Sequence, residues 1–128
     1  MRWIVMSTKG LAVAAAAGFL VAAAPQTVMA ATPYECADES VCLFQEHGGV
    51  GAKLEVHDAV ADLRNTPGWN DKARSVFNRT SDDWCLYRDE NYKGEFKIVG
   101  PGSGTNLTNE FDRSVSSLRP MPDGGCAA

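Results

Sequence analysis

The sequence predicts an all-β protein, two Greek-key motifs packed as one disulfide-stapled sandwich. Three observations carry the prediction. Short stretches alternate apolar and polar residues on either side of Gly-rich turns, as "VCLFQE" and "AKLEVHD" do around "HGGVG". No segment beyond residue 30 keeps a 3.6-residue apolar period for three turns. The same strand–turn–strand pattern also occurs twice along the chain.

In chain order, residues 1–30 stand apart. "MRWIVMSTKG" carries Arg2 and Lys9, "LAVAAAAGFLVAAA" is an uncharged run of 14 residues, and "PQTVMA" places Val28 and Ala30 before a cleavage point. A basic start, an apolar middle and small residues at the end form a secretory signal, and the run falls short of the roughly 20 residues a spanning helix needs. Cleavage after Ala30 is expected, leaving a secreted, extracellular domain at 31–128, which is 98 of the 128 residues. Losing Arg2 and Lys9 leaves 10 basic residues against 16 acidic ones, with no basic run. That balance excludes nucleic acid and an anionic membrane as expected partners.

Four cysteines, Cys36, Cys42, Cys85 and Cys126, fall in 31–128. An even count in a short exported chain predicts two disulfides. Zinc is disfavoured, because no C-x-x-C pair occurs and the histidines are His47 and His57 alone. Cys36–Cys42 with Cys85–Cys126 is the pairing adopted, and Cys42–Cys85 with Cys36–Cys126 stays open.

The elements follow. "VCLFQE" (41–46) and "AKLEVHD" (52–58) form the first hairpin, "DAVADLRN" (58–65) at most one helical turn, and "ARSVFNR" (73–79) the returning strand. "WCLYRDE" (84–90) and "EFKIVG" (95–100) form the second hairpin around "NYKG", and "SVSSLRP" (114–120) returns again. "GPGSGTNLTNE" (100–110) reads as a loop containing no strand. Trp69 and Trp84 are expected in the core.

The repeat has a register. Cys42, Leu43 and Phe44 map onto Cys85, Leu86 and Tyr87, Gly51 onto Gly94 and Val56 onto Val99, all at an offset of 43. "NDKARSV" (70–76) maps onto "DRSVSSL" (112–118) at an offset of 42. Motif one thus spans about 36–80 and motif two about 81–120, as two copies of one supersecondary unit do. In "YRDENYKG" (87–94), Tyr87, Tyr92 and Gly94 form an aromatic-x4-aromatic-x-Gly hairpin. "FQEHGGVG" (44–51) keeps Phe44 and Gly51 but has Gly49 at the second aromatic position.

This hairpin, followed by an N/D-N/D-x-x-S/T-S loop, resembles the βγ-crystallin Greek key. With the signal, the "CLF" and "CLY" strand starts and "WNDKARSV", the chain is similar to the bacterial peptidase inhibitor family I36, across roughly residues 36–120. The resemblance implies a non-enzymatic inhibitor, directed at an extracellular peptidase, with a metallopeptidase of thermolysin type as one candidate. It also implies two calcium sites, each joining one hairpin to the other copy's loop. One would combine Glu90 with Asn70 and Asp71 and have Arg74 at the fifth loop position. The other would combine Ser116 with Asp112 but has His47 and Arg113 where acids or amides belong. Arg74 is expected to form a salt bridge with Asp71 and Glu90 where calcium would sit, so no cofactor is expected beyond weakly held calcium.

No nucleophile elbow, phosphate loop or H-E-x-x-H occurs, which speaks against an enzyme. His47 reads as a solvated turn residue and His57 as an outward one. The competing function class is a non-inhibitory extracellular βγ-crystallin module that binds a partner or plays a structural part. For either, a monomer is expected. The loops long enough to reach into a cleft are 100–110 and "HDAVADLRNTPG" (57–68).

Overall fold

The structure is a computed structural model that describes Pro25 and residues 32–128, so the signal reading of residues 1–30 lies outside the described residues. The described residues form seven strands: β1 Val41–Phe44, β2 Lys53–Val56, β3 Ser75–Asn78, β4 Trp84–Asp89, β5 Lys93–Val99, β6 Gly104–Asn106 and β7 Ser117–Pro120. They form two antiparallel sheets, ordered β2-β1-β3-β6 and β5-β4-β7. Among the described residues there is no α-helix, only the 3-10 turns Leu63–Asn65 and Asn109–Phe111.

Each motif is a Greek key whose third strand crosses to the other sheet. In motif two that strand is β6, which pairs with β3 in the register Ser75↔Asn106. This corrects the reading of 100–110 as a strandless loop. Gly and Asn weaken strand propensity, but the open edge of β3 supplies the hydrogen-bonding partner that a local pattern cannot reveal. In motif one the crossing strand shrinks to a single bridge, Val60↔Leu118. The first hairpin pairs as predicted, from Val41↔Val56 to Phe44↔Lys53.

Alternation along β1 and β4 explains why every residue of Val41–Phe44 and Trp84–Tyr87 is buried. Val41, Leu43, Trp84 and Leu86 point between the sheets and meet Val56, Trp69, Val76, Val99, Leu107 and Leu118. Cys42 and Phe44 face outward beneath Tyr34, Cys36 and Phe77, while Cys85 and Tyr87 face outward beneath Tyr92, Met121 and Cys126. The disulfides are Cys36–Cys42 and Cys85–Cys126, with Cα–Cα distances of 5.8 and 5.7 Å, as adopted from the sequence. Because Cys42 and Cys85 are equivalent positions, each bridge clamps one terminal segment over the outside of one sheet.

Candidate functional site

Both hairpins are locked by the same device. Ser75 Oγ donates to Glu46 O (2.6 Å) and accepts from Gly49 N (2.9 Å). Ser117 Oγ donates to Asp89 O (2.6 Å) and accepts from Tyr92 N (3.0 Å). These serines close the two N/D-N/D-x-x-S/T-S loops, and both are fully buried. Gly51 and Gly94 turn the hairpins at φ of +87° and +81°, where a Cβ would press on Glu46 and Asp89.

The second aromatic, absent at Gly49, is replaced from outside the motif. Tyr34 packs edge-on to Phe44 at 5.9 Å, as Tyr92 packs on Tyr87 at 5.8 Å. Its N–H bonds Gly49 O at 2.8 Å, and a Cβ on Gly49 would collide with its ring. Arg119 stacks over Tyr92 at 4.5 Å and donates to Tyr87 Oη at 3.1 Å.

The two loops cross each other around a pseudo-twofold axis. Asp71 N bonds Val115 O and Arg113 N bonds Ala73 O, at 3.2 and 3.0 Å. The fifth loop residues behave differently, because Arg74 N bonds Phe44 O (2.7 Å) and Ser116 N bonds Tyr87 O (2.9 Å). Each fifth residue therefore stays at its own hairpin, while the first two residues of the loop reach across to the other.

That geometry corrects the predicted site. Arg74 makes no ion pair with Asp71 or Glu90; its Nε and Nη2 grip Asp112 at 3.0 and 3.1 Å. His47 sits in the hairpin turn and is exposed, as expected, but its Nε2 also lies 3.3 Å from the same carboxylate and 3.3 Å from Leu107 O. The guanidinium, as the main cause, holds the Asp112 carboxyl below the usual aspartate range, and His47 adds to this while partial burial opposes it. A cleft filled by Arg74 and His47 does not fit a divalent cation.

The other cleft gathers oxygens. Ser116 Oγ donates to Asp71 Oδ1 at 3.2 Å, and Asn70 Nδ2 donates to Asp71 Oδ2 at 3.3 Å. Asn70 Oδ1 is buried with no hydrogen-bond partner, the kind of orphan acceptor that a cation or water satisfies. Glu90 lies on the adjoining hairpin, its Oε1 4.0 Å from Arg64. Asn70 and Asp71, paired in the sequence with Arg74, thus stand with Ser116 instead, and these three offer oxygen donors of the kind a hard cation takes. No group of three acidic, histidine or cysteine side chains that could hold a metal occurs among the described residues.

Neither predicted contact loop is free along its length. Gly104–Asn106 is strand and Leu107 is fully buried. In 57–68, Val60 bridges to Leu118 and buried Leu63 bonds Ser116 O at 2.9 Å. What projects is Arg64 to Gly68, between buried Leu63 and Trp69. Asp62 caps this turn, accepting from Arg64 N (2.9 Å) and Arg64 Nε (2.9 Å), while the Arg64 side chain stays 60% exposed.

Peptidase inhibitor family I36 matches residues 29–99, more than half of the chain. The chain belongs to peptidase inhibitor family I36. Its fold is the βγ-crystallin fold. A βγ-crystallin from Ciona intestinalis is 30% identical over 64% of this chain and 99% of its own, with a TM-score of 0.57. Spherulin 3a from Physarum polycephalum is 24% identical over 72% of this chain and 88% of its own, with a TM-score of 0.55. A βγ-crystallin from an archaeon is 22% identical over 66% of this chain and all of its own (100%), with a TM-score of 0.55. No curated protein gives a significant match to the sequence.

The I36 match runs through β5, so it includes Arg64, Asn70, Asp71 and Glu90 and stops short of Asp112 and Ser116. Two structural roles in this I36 chain, those of the loop-closing serines and of Tyr34, come from residues outside the predicted site. Ser75 and Ser117 take the sixth place of the two N/D-N/D-x-x-S/T-S loops, and that matching place is the sequence signal for their role. Tyr34 lies outside the repeat, and no local pattern marks it.

Proposed function

We propose that the chain is a secreted inhibitor that engages an extracellular peptidase through the turn Arg64–Gly68. The observation that carries this reading is the bracing of that turn. Two buried side chains pin its ends, Asp62 caps it, and Arg64 is left projecting. A segment held in one conformation before binding loses little entropy on docking, which is what separates an inhibitor from a flexible substrate. Membership of the I36 family supports an inhibitor, and two disulfides suited to an oxidising compartment with the signal-like start support a secreted one.

The test is titration of the purified protein against a thermolysin-type metallopeptidase and a trypsin-type serine peptidase. Inhibition of one of them is expected, with Arg64→Ala weakening it by about tenfold or more, as loss of a central anchor does. Inhibition untouched by Arg64→Ala would move the contact elsewhere. No inhibition by the intact protein would favour the non-inhibitory module.

A second reading rests on the orphan Asn70 Oδ1. Calcium held by Asn70, Asp71, Ser116 and Glu90 would neutralise the gathered oxygens and tie motif one to motif two. Arg64 competes for Glu90, which keeps such binding weak.

A further inference from the structure

Among the described residues, the large apolar side chains left exposed are Phe96 and Ile98, at 40% and 49%. Both lie on the outer face of β5, which is the edge strand of its sheet. Among the described residues, no backbone–backbone hydrogen bond other than those of its pairing with β4 involves residues 93–99, and of their carbonyls only Val99 O is taken by a side chain, Asn78 Nδ2 at 2.9 Å. The internal repeat supplies a control. The equivalent positions on β2, also an edge strand, are Lys53 and Glu55, which pair with each other at 3.5 Å. The fold therefore accepts charge at this place, and motif two carries apolar groups there for another reason.

The charges along β5 say what covers it. Lys93, Glu95 and Lys97 alternate with the outward residues. If two β5 strands meet antiparallel with Phe96 opposite Phe96 of the second copy, Glu95 falls opposite Lys97 and Lys97 opposite Glu95. Sliding by two residues, the smallest shift that keeps the faces matched, sets Glu95 against Glu95 or Lys97 against Lys97. A parallel in-register pair also sets like on like. Charged residues on an edge usually block pairing. Here they oppose both neighbouring registers; the next one, which would again set Glu95 opposite Lys93, takes Phe96 off the dyad.

We propose that two copies of this chain pair antiparallel across the free edges of β5, with Phe96 on the dyad. The pairing joins the two β5-β4-β7 sheets into one six-stranded sheet and brings the Phe96 rings together on its outer face. A cleft of about 470 Å³ between Phe96 and Phe111, lined also by Gly94, Glu95 and Glu110, opens beside the edge. Arg88 takes one oxygen of Glu95 at 2.9 Å and orients that carboxylate along the edge. Contact along one strand buries little area, so the association is weak and concentration-dependent.

Sedimentation of the full protein over a concentration series tests this. A monomer–dimer equilibrium is expected. Phe96→Lys with Ile98→Glu, which copies the residues motif one already carries, should weaken it by about tenfold or more. Lys97→Glu should also weaken it, and adding Glu95→Lys should restore it. A second measurement stands apart from the variants: amide exchange in the parent protein, which should slow at residues 93–99 as concentration rises. A monomer at every concentration up to about 1 mM overturns the proposal. So does a dimer indifferent to these substitutions, or protection of β5 that appears only when a peptidase is added. Inhibition by Arg64–Gly68 can fail without touching this result, because the two surfaces share no residue.

Discussion

Asp112 shows how a substituted neighbour, Arg74, changes the chemistry of a cleft. Its carboxylate serves Arg74 and His47, and Arg74 holds its pKa below the ordinary aspartate value. A carboxylate with a depressed folded pKa contributes stability above its unfolded value of about 3.9, and that stability is lost as pH falls through the folded value. The parent protein should therefore lose stability more steeply below about pH 4 than Asp112→Asn does. Denaturant melts at several acidic pH values measure this, and equal slopes would show the pair to be idle. Gly49 and Tyr34 make a second residue-scale case. Tyr92, the counterpart of Gly49, adopts a φ of +60°, so a tyrosine can hold the +71° of Gly49. Gly49→Tyr should destabilise because Tyr34 already fills the space, and Tyr34→Ala should cost about 2 kcal/mol, below the range for a fully buried aromatic. The double substitution should recover most of the loss by moving the ring from the terminal segment to the hairpin. Additive losses in thermal melts would refute the replacement.

At the scale of elements, the sheets differ in how their outer faces are sealed. Cys36–Cys42 spans 6 positions and Cys85–Cys126 spans 41. On the chain-entropy account, closing these loops is worth roughly 2 and roughly 4 kcal/mol. The C-terminal segment is also held by Tyr87 Oη donating to Cys126 O at 2.7 Å and Arg119 Nη2 donating to Ala128 O at 2.9 Å. Replacing both cysteines of the second bridge by serine should therefore cost more stability than the same change in the first. Chemical denaturation without reductant decides this, and a larger loss from the first bridge would mean that the N-terminal segment does more than close a loop.

For the whole molecule, the decisive feature is the crossing of the loops. Asn70 and Asp71 come from motif one, Glu90 and Ser116 from motif two, so a cation between them would stabilise only the assembled pair. Calcium should raise the melting temperature of the parent, and Asn70→Ala or Ser116→Ala should reduce that gain. Arg74→Ser should leave it unchanged, because Arg74 stands in the other cleft with Asp112. A calorimetric titration in which Arg74→Ser creates tight binding would reverse this assignment of the clefts.

The sequence by itself favoured the observed disulfide pairing while leaving Cys42–Cys85 with Cys36–Cys126 open, and it determined every strand but β6, both hairpins and the core placement of Trp69 and Trp84. Each of these follows from local alternation, turn chemistry or a repeat register, and every such signal is contained in a short stretch of chain. Only the tertiary structure decided that Gly104–Asn106 is a strand, since its partner β3 lies in the other motif. It also decided which loop residue belongs to which cleft. A repeat shows that positions 74 and 116 are equivalent, but equivalence does not say whether each stays with its own hairpin or crosses. The backbone bonds to Phe44 O and Tyr87 O settle that, each lying within its own copy, while Asp71 N and Arg113 N bond across to the other loop. Tyr34 likewise acquires its place from folding, because a ring supplied from outside the repeat leaves no period or spacing in the sequence.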